Sequence, residues 1–192
     1  MRRKGKEGEA RENKHVRGSR SSSAQGKRRS EEDLYALLEE KKEPLLLILD
    51  CVQDPHNLGA ILRTADGAGV TAVIAPRDKS ASITDTVRRI SVGGADSVLF
   101  FQVTNLSRTM KRLQDAGVWL IGTSDATEQT LYEAKLTGAI GLVMGAEGTG
   151  MRRLTEDHCD FLIKIPMAGK VDCLNVSVAT GVCLYEAVRQ RQ

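Results

Sequence analysis

Four polar side chains fall where strand-to-helix turns would hold them: Asn57, Arg63, Glu147 and Asn175. In residues 50–65, DCVQDPHNLGAILRTA, Asp54-Pro55 reads as a turn, and Asn57 or Asp54 can cap the helix that follows. Arg63 comes six residues after Asn57, nearly two helical turns on, and is expected on a similar side. A guanidinium at a strand-end crevice suits a phosphate, which it can grip with paired hydrogen bonds. The plain alternative is a surface Arg on an amphipathic helix. Residues 145–151, GAEGTGM, follow an apolar run, and Gly145, Gly148 and Gly150 permit close backbone approach. No Lys-Ser/Thr follows Gly150, so this is no Walker loop, and the glycine spacing is not that of a dinucleotide fingerprint. Glu147 in such a loop is expected to bond backbone amides or a ligand. In residues 165–187, IPMAGKVDCLNVSVATGVCLYEA, Pro166 and Gly169 free backbone groups for a ligand, and Asn175 can cap a long helix.

The elements that must position these residues alternate. Residues 45–49, LLLIL, form a continuous apolar run, the pattern of a strand buried on both faces. Helical spacing follows over 57–68, then a strand over 71–75, a helix over 83–92 and a strand over 97–102. A helix over 106–116, capped by Thr104 or Asn105, leads to a strand over 118–122. A helical turn near 131–135 comes next, then strands over 139–144 and 161–165 and a last helix over 175–190. The alternation predicts an α/β fold with a mostly parallel sheet of about six strands and helices on both faces. Ahead of it, Ser30 caps a short helix over 31–42 whose Leu34, Leu37 and Leu38 need a docking surface, and Pro44 ends it. The chain therefore divides into a basic arm (1–30), an N-terminal helix (31–43) and the α/β domain (44–192).

Charge is unevenly spread over the 192 residues. Residues 1–30 hold 11 Lys/Arg and 3 Asp/Glu, a balance of +8, and the remainder carries −5, giving the net +3. The arm has too little apolar surface to offset ordering entropy and is expected to be disordered. A basic arm on a mildly acidic body points to a polyanion, nucleic acid first; a solubilising tail is the alternative. Cys51, Cys159, Cys173 and Cys183 form no CxxC pair, so no metal site is expected, and they read as reduced thiols of a cytoplasmic protein. No apolar run nears the ~20 residues of a membrane span, and no hydrophobic segment behind the basic arm marks a secretory signal. An organelle transit peptide remains an alternative for an arm rich in Arg and Ser, against which Glu7, Glu9 and Glu12 argue.

Taken together, NLGAILRTA, LVMGAEGTGM and IPMAGKVDCLNVSVA resemble, in order and spacing, the three motifs of the SpoU–TrmH family of RNA ribose methyltransferases. The resemblance runs from about residue 45 to 192 and is nearest to the bacterial enzymes that modify guanosine in 23S rRNA. It implies a homodimer, S-adenosylmethionine as cofactor and a deep C-terminal trefoil knot, an exception to the rule against threaded loops. The implied cofactor pocket is made by Thr123, Gly145, Ile165, Met167 and Leu174. The implied reaction is methyl transfer to a ribose 2′-OH, with Arg63 binding an RNA phosphate and Asn57, Glu147 and Asn175 as the other polar site residues. Two departures stand out. Cys173 replaces the serine usual before Leu174-Asn175, and a thiol is the weaker hydrogen-bond partner. Close relatives carry a small folded RNA-binding domain where this sequence shows the basic arm and one helix. Large-subunit rRNA is the first substrate expected and tRNA the second; a non-catalytic RNA-binding or ribosome-assembly protein that keeps the knot is the reading of another class.

Overall fold

The computed structural model describes residues 29–192, so the basic arm lies, but for its last two residues, outside the described residues. Helix α1 (Glu31–Glu40) opens with a capping box: the Ser30 hydroxyl accepts from the Asp33 amide and the Asp33 carboxylate accepts from the Ser30 amide. Strands β1 (Leu45–Leu49), β2 (Ala72–Pro76) and β3 (Phe100–Val103) are joined by α2 (Pro55–Gly67) and by α3 (Asp85–Ser91) with α4 (Gly94–Ser97). Then come α5 (Leu106–Asp115), β4 (Trp119–Thr123), β5 (Ile140–Met144), α6 (Arg153–Glu156), β6 (Phe161–Ile163) and α7 (Val176–Gln190).

All five strand pairings are parallel, and the order across the sheet is β3-β2-β1-β5-β4-β6. Alternation along β1 divides the core. Leu45, Leu47 and Leu49 pack with α2, α3 and α7 through Leu58, Ile61, Leu62, Val87 and Leu184. Leu46 and Ile48 face the other way, toward Leu34 of α1 and Leu106, Met110 and Leu113 of α5. Helices therefore cover both faces, and every residue of β1 is buried, as its unbroken apolar run predicts. Leu34 is fully buried, and Glu31 accepts from the Thr104 amide at 3.0 Å, so α1 docks on the sheet domain.

Several boundaries shift from expectation. Ser97, expected to open β3, instead ends the short helix α4, and β3 begins at Phe100. Helix α6 follows the glycine loop where none was expected. The helical turn expected near 131–135 is present as consecutive hydrogen-bonded turns, with Glu133 N donating to Thr130 O and Ala134 N to Leu131 O. Strand β6 ends at Ile163, because Lys164 turns to bridge Thr130. Asp54 rather than Asn57 caps α2, and Asn105 caps α5.

Candidate active site

The carboxyl ends of β5, β4 and β6 lie side by side, and a cleft of about 510 Å³ opens beyond them. Parallel sheets bind ligands at this end, where strand exits release unpaired backbone groups. Thr123 ends β4, Gly145 follows β5, Ile165 and Met167 follow β6, and Leu174 precedes α7; all five line the cleft. The Thr123 hydroxyl donates to Val143 O at 3.2 Å and fixes the exit of β4 against that of β5.

Gly145 opens a tight hairpin. Ala146 and Gly150 exchange both backbone hydrogen bonds, at 3.0 and 2.9 Å, while Gly148 and Gly150 adopt φ of 78° and 65°. A Cβ on Gly145 would lie 2.2 Å from Gly150 C and 2.3 Å from Met151 N, so only glycine fits there. The hairpin carries Glu147 to the cleft wall.

Three of the four polar residues meet. The Asn175 side-chain amide donates to Asn57 Oδ1 at 3.1 Å and to Glu147 Oε2 at 2.8 Å. Its Oδ1 accepts from the Ser177 amide at 3.0 Å, capping α7, and from the Ser177 hydroxyl at 2.6 Å. Every hydrogen-bonding atom of the Asn175 side chain is thus committed to orientation, and Asn57 Nδ2 donates to no protein group among the described residues. Arg63 is exposed, and its side chain makes no hydrogen bond or ion pair among the described residues. It does not share Asn57's side of α2 as expected: six positions amount to about 600°, which leaves the two side chains about 120° apart.

The electrostatics of the cleft separate two kinds of ligand. Among the described residues, Asp125, Glu147, Glu156 and Asp172 line it against one cation, Lys164. Such a wall favours a cationic ligand and repels phosphate. Cys173 lines the cleft and is exposed. Sequence reasoning missed Asp50 and Arg152, which close the base of the hairpin: the buried Asp50 carboxylate accepts from the Arg152 amide and Nε, both at 2.8 Å. Burial alone would raise the Asp50 carboxyl, but the bonds from Arg152 and Thr155 outweigh it and hold it below the usual carboxylate range. The only sequence signal was an Asp ending an otherwise apolar strand.

A parallel α/β sheet with a cofactor-sized cleft of mixed polarity at its strand exits is the arrangement of α/β proteins that bind a small molecule there. Residues 44–185 match the SpoU rRNA Methylase family, and the chain belongs to that family. It is 60% identical over 167 residues, 87% of this chain and 68% of the relative, to the 23S rRNA (guanosine-2′-O-)-methyltransferase RlmB of Pectobacterium atrosepticum. It is 58% identical over 166 residues, 86% of this chain and 68% of the relative, to the protein of that name from Escherichia coli K12. Among solved structures, the SpoU methyltransferase AviRb from Streptomyces viridochromogenes in complex with AdoMet superposes with a TM-score of 0.73 at 28% identity, covering 78% of this chain and 61% of that one. Among the described residues, no helix is long and apolar enough to cross a membrane.

Proposed function

We propose that this chain transfers a methyl group from S-adenosylmethionine to the 2′-OH of a guanosine in large-subunit rRNA. The observation that carries the reading is the hydrogen-bonded trio Asn57–Asn175–Glu147 beside a cleft lined by Thr123, Gly145, Ile165, Met167 and Leu174. The relatives at 58–60% identity are named for this reaction on 23S rRNA.

The cleft fits the cofactor. Its volume is within the ~300–1,000 Å³ of sites for such ligands, and its floor is apolar at Met144, Ile163 and Val176, as an adenine slot needs. Its carboxylates complement a sulfonium and an α-amino group. When bound, S-adenosylmethionine supplies an electrophilic methyl. Arg63, a fixed cation on the exposed side of α2, grips an RNA phosphate and so orients the ribose. Asn57 presents Nδ2 to the incoming nucleotide while its Oδ1 is held by Asn175. Glu147 fixes Asn175 and, through it, the start of α7. The negative wall would keep phosphate out of the cofactor space and admit the ribose from its outer side.

The reading extends to a homodimer and a trefoil knot in a cytoplasmic enzyme. Val178 and Tyr185, seven residues apart on one face of α7, are 52% and 54% exposed, which supports a partner copy there. The knot is carried over from the family; Arg191 just past α7 donates to Leu136 O and Gly138 O and pins the helix end to the segment entering β5.

The deciding experiment supplies labelled S-adenosylmethionine with unmodified large-subunit rRNA or tRNA, and Arg63→Ala in parallel. Ribose label in rRNA that vanishes in the variant supports the reading. Label in tRNA alone overturns the substrate, and cofactor binding without transfer to either RNA favours a binding protein.

A further inference from the structure

Asp50 stands at the carboxyl end of β1 and touches both ends of the glycine hairpin. Its amide donates to Met144 O at 2.8 Å, holding the strand that enters the hairpin. Its carboxylate accepts from the Arg152 amide and Nε, both at 2.8 Å, holding the chain as it leaves. Arg152 Nη2 adds a third contact at 2.6 Å. The two residues are 102 positions apart, and the Asp50 side chain has no exposure to solvent. A buried carboxylate persists only when paired and hydrogen-bonded, so this one has a single permitted arrangement. The next residue, Cys51, is held at φ 63°, a left-handed conformation rare for a non-glycine. Such strain survives where neighbouring contacts over-determine the backbone.

We infer that Asp50 and Arg152 are positioning residues that set the hairpin 145–150, and with it Glu147 and the cofactor wall, from the strand beneath. The inference rests on the methyltransferase reading of the cleft. The physical reason is leverage. The hairpin's own closure is a pair of backbone bonds between Ala146 and Gly150, and its three glycines resist deformation poorly. Its orientation toward Asn175 must come from outside it, and Asp50 grips both its legs. Neither residue lines the cleft, so neither touches the cofactor.

The test uses Arg152→Ala and Arg152→Lys: the Arg152 side chain is 44% exposed, so its removal opens no core cavity, and the lysine variant controls for the charge that alanine leaves unpaired at Asp50. Cofactor affinity is measured by titration calorimetry, and amide exchange by mass spectrometry. The inference expects Arg152→Ala to bind S-adenosylmethionine at least ten-fold more weakly, with faster exchange confined to 145–152 and the first turn of α7, and the sheet unchanged. Arg152→Lys, which keeps the charge and the backbone donor, should recover part of the affinity. Affinity within two-fold of wild type for Arg152→Ala, or faster exchange throughout the domain, overturns the positioning role. A wild-type chain that binds no S-adenosylmethionine overturns the methyltransferase reading itself.

Discussion

Asn175 donates to Asn57 across 118 residues of chain, at 3.1 Å, and so ties the start of α7 to the first turn of α2. The same side chain caps α7 through the Ser177 amide. These two duties are separable by substitution. Asn175→Ala loses both; the cap alone is worth about 1 kcal/mol. Asn175→Ser keeps a good cap but cannot reach Glu147 and Asn57. The serine variant should melt close to wild type, the alanine variant several degrees lower, and both should lose about 100-fold in kcat. A serine variant with near-normal turnover would reduce Asn175 to a cap.

Gly145→Ala tests the hairpin. Its Cβ would meet backbone atoms at 2.2 and 2.3 Å, and backbone cannot swing aside as a side chain can. The hairpin must open, so cofactor affinity should fall at least ten-fold. Gly148→Ala is the control: φ is 78° but no atom lies within 4 Å of the new Cβ, so the cost is conformational, about 1 kcal/mol. Equal affinity for the two variants would refute the packing argument.

What the sequence made legible follows from periodicity and caps. The buried strands announce themselves as apolar runs, and Ser30 and Asn175 are caps that their position alone suggests. Helices α4 and α6 escaped because four residues are too short to show a period. The three motifs are recognisable together, by order and spacing, rather than one by one, and their meeting in space depends on β5 lying between β1 and β4, a pairing that no local pattern encodes. The Asp50–Arg152 pair was invisible for the same reason. An Asp after five apolar residues looks like the end of a strand, and only the return of the hairpin gives it a partner. Arg63 was misplaced by treating six residues as a whole number of turns.

Thiol chemistry should report the cleft directly. Burial pushes the Cys159 and Cys183 thiols up to about 12, so neither forms the reactive thiolate at neutral pH. Burial and then the Asp50 charge also raise Cys51. Cys173 is exposed and lines the cleft. Iodoacetamide at pH 7.5 should therefore modify Cys173 first, and saturating S-adenosylmethionine should slow that modification. Peptide mass spectrometry reads both effects. Unchanged labelling of Cys173 in the presence of bound cofactor would place the ligand elsewhere.

Acid should weaken the fold through two carboxylates whose pKa values lie below their ordinary range. Glu186 is held down to about 2 by hydrogen bonds from Arg189 and Gln190, and Asp50 is lowered by Arg152 and Thr155 despite burial. Each group binds its proton less readily folded than unfolded, so its stabilisation is complete above the ordinary values of 4.5 and 3.8. That stabilisation is lost as pH falls toward the folded values. For Glu186 the loss runs from about 4.5 down to about 2. Gln190 also bonds Ala134 O and the Leu136 amide, so protonating Glu186 loosens the segment that enters β5. Glu186→Gln should lower Tm at pH 7 and flatten its slope between pH 4.5 and 2.5, because the variant has no proton left to bind there. Thermal scans across that range decide the point: wild-type and variant curves that stay parallel would mean that Glu186 contributes nothing to acid lability.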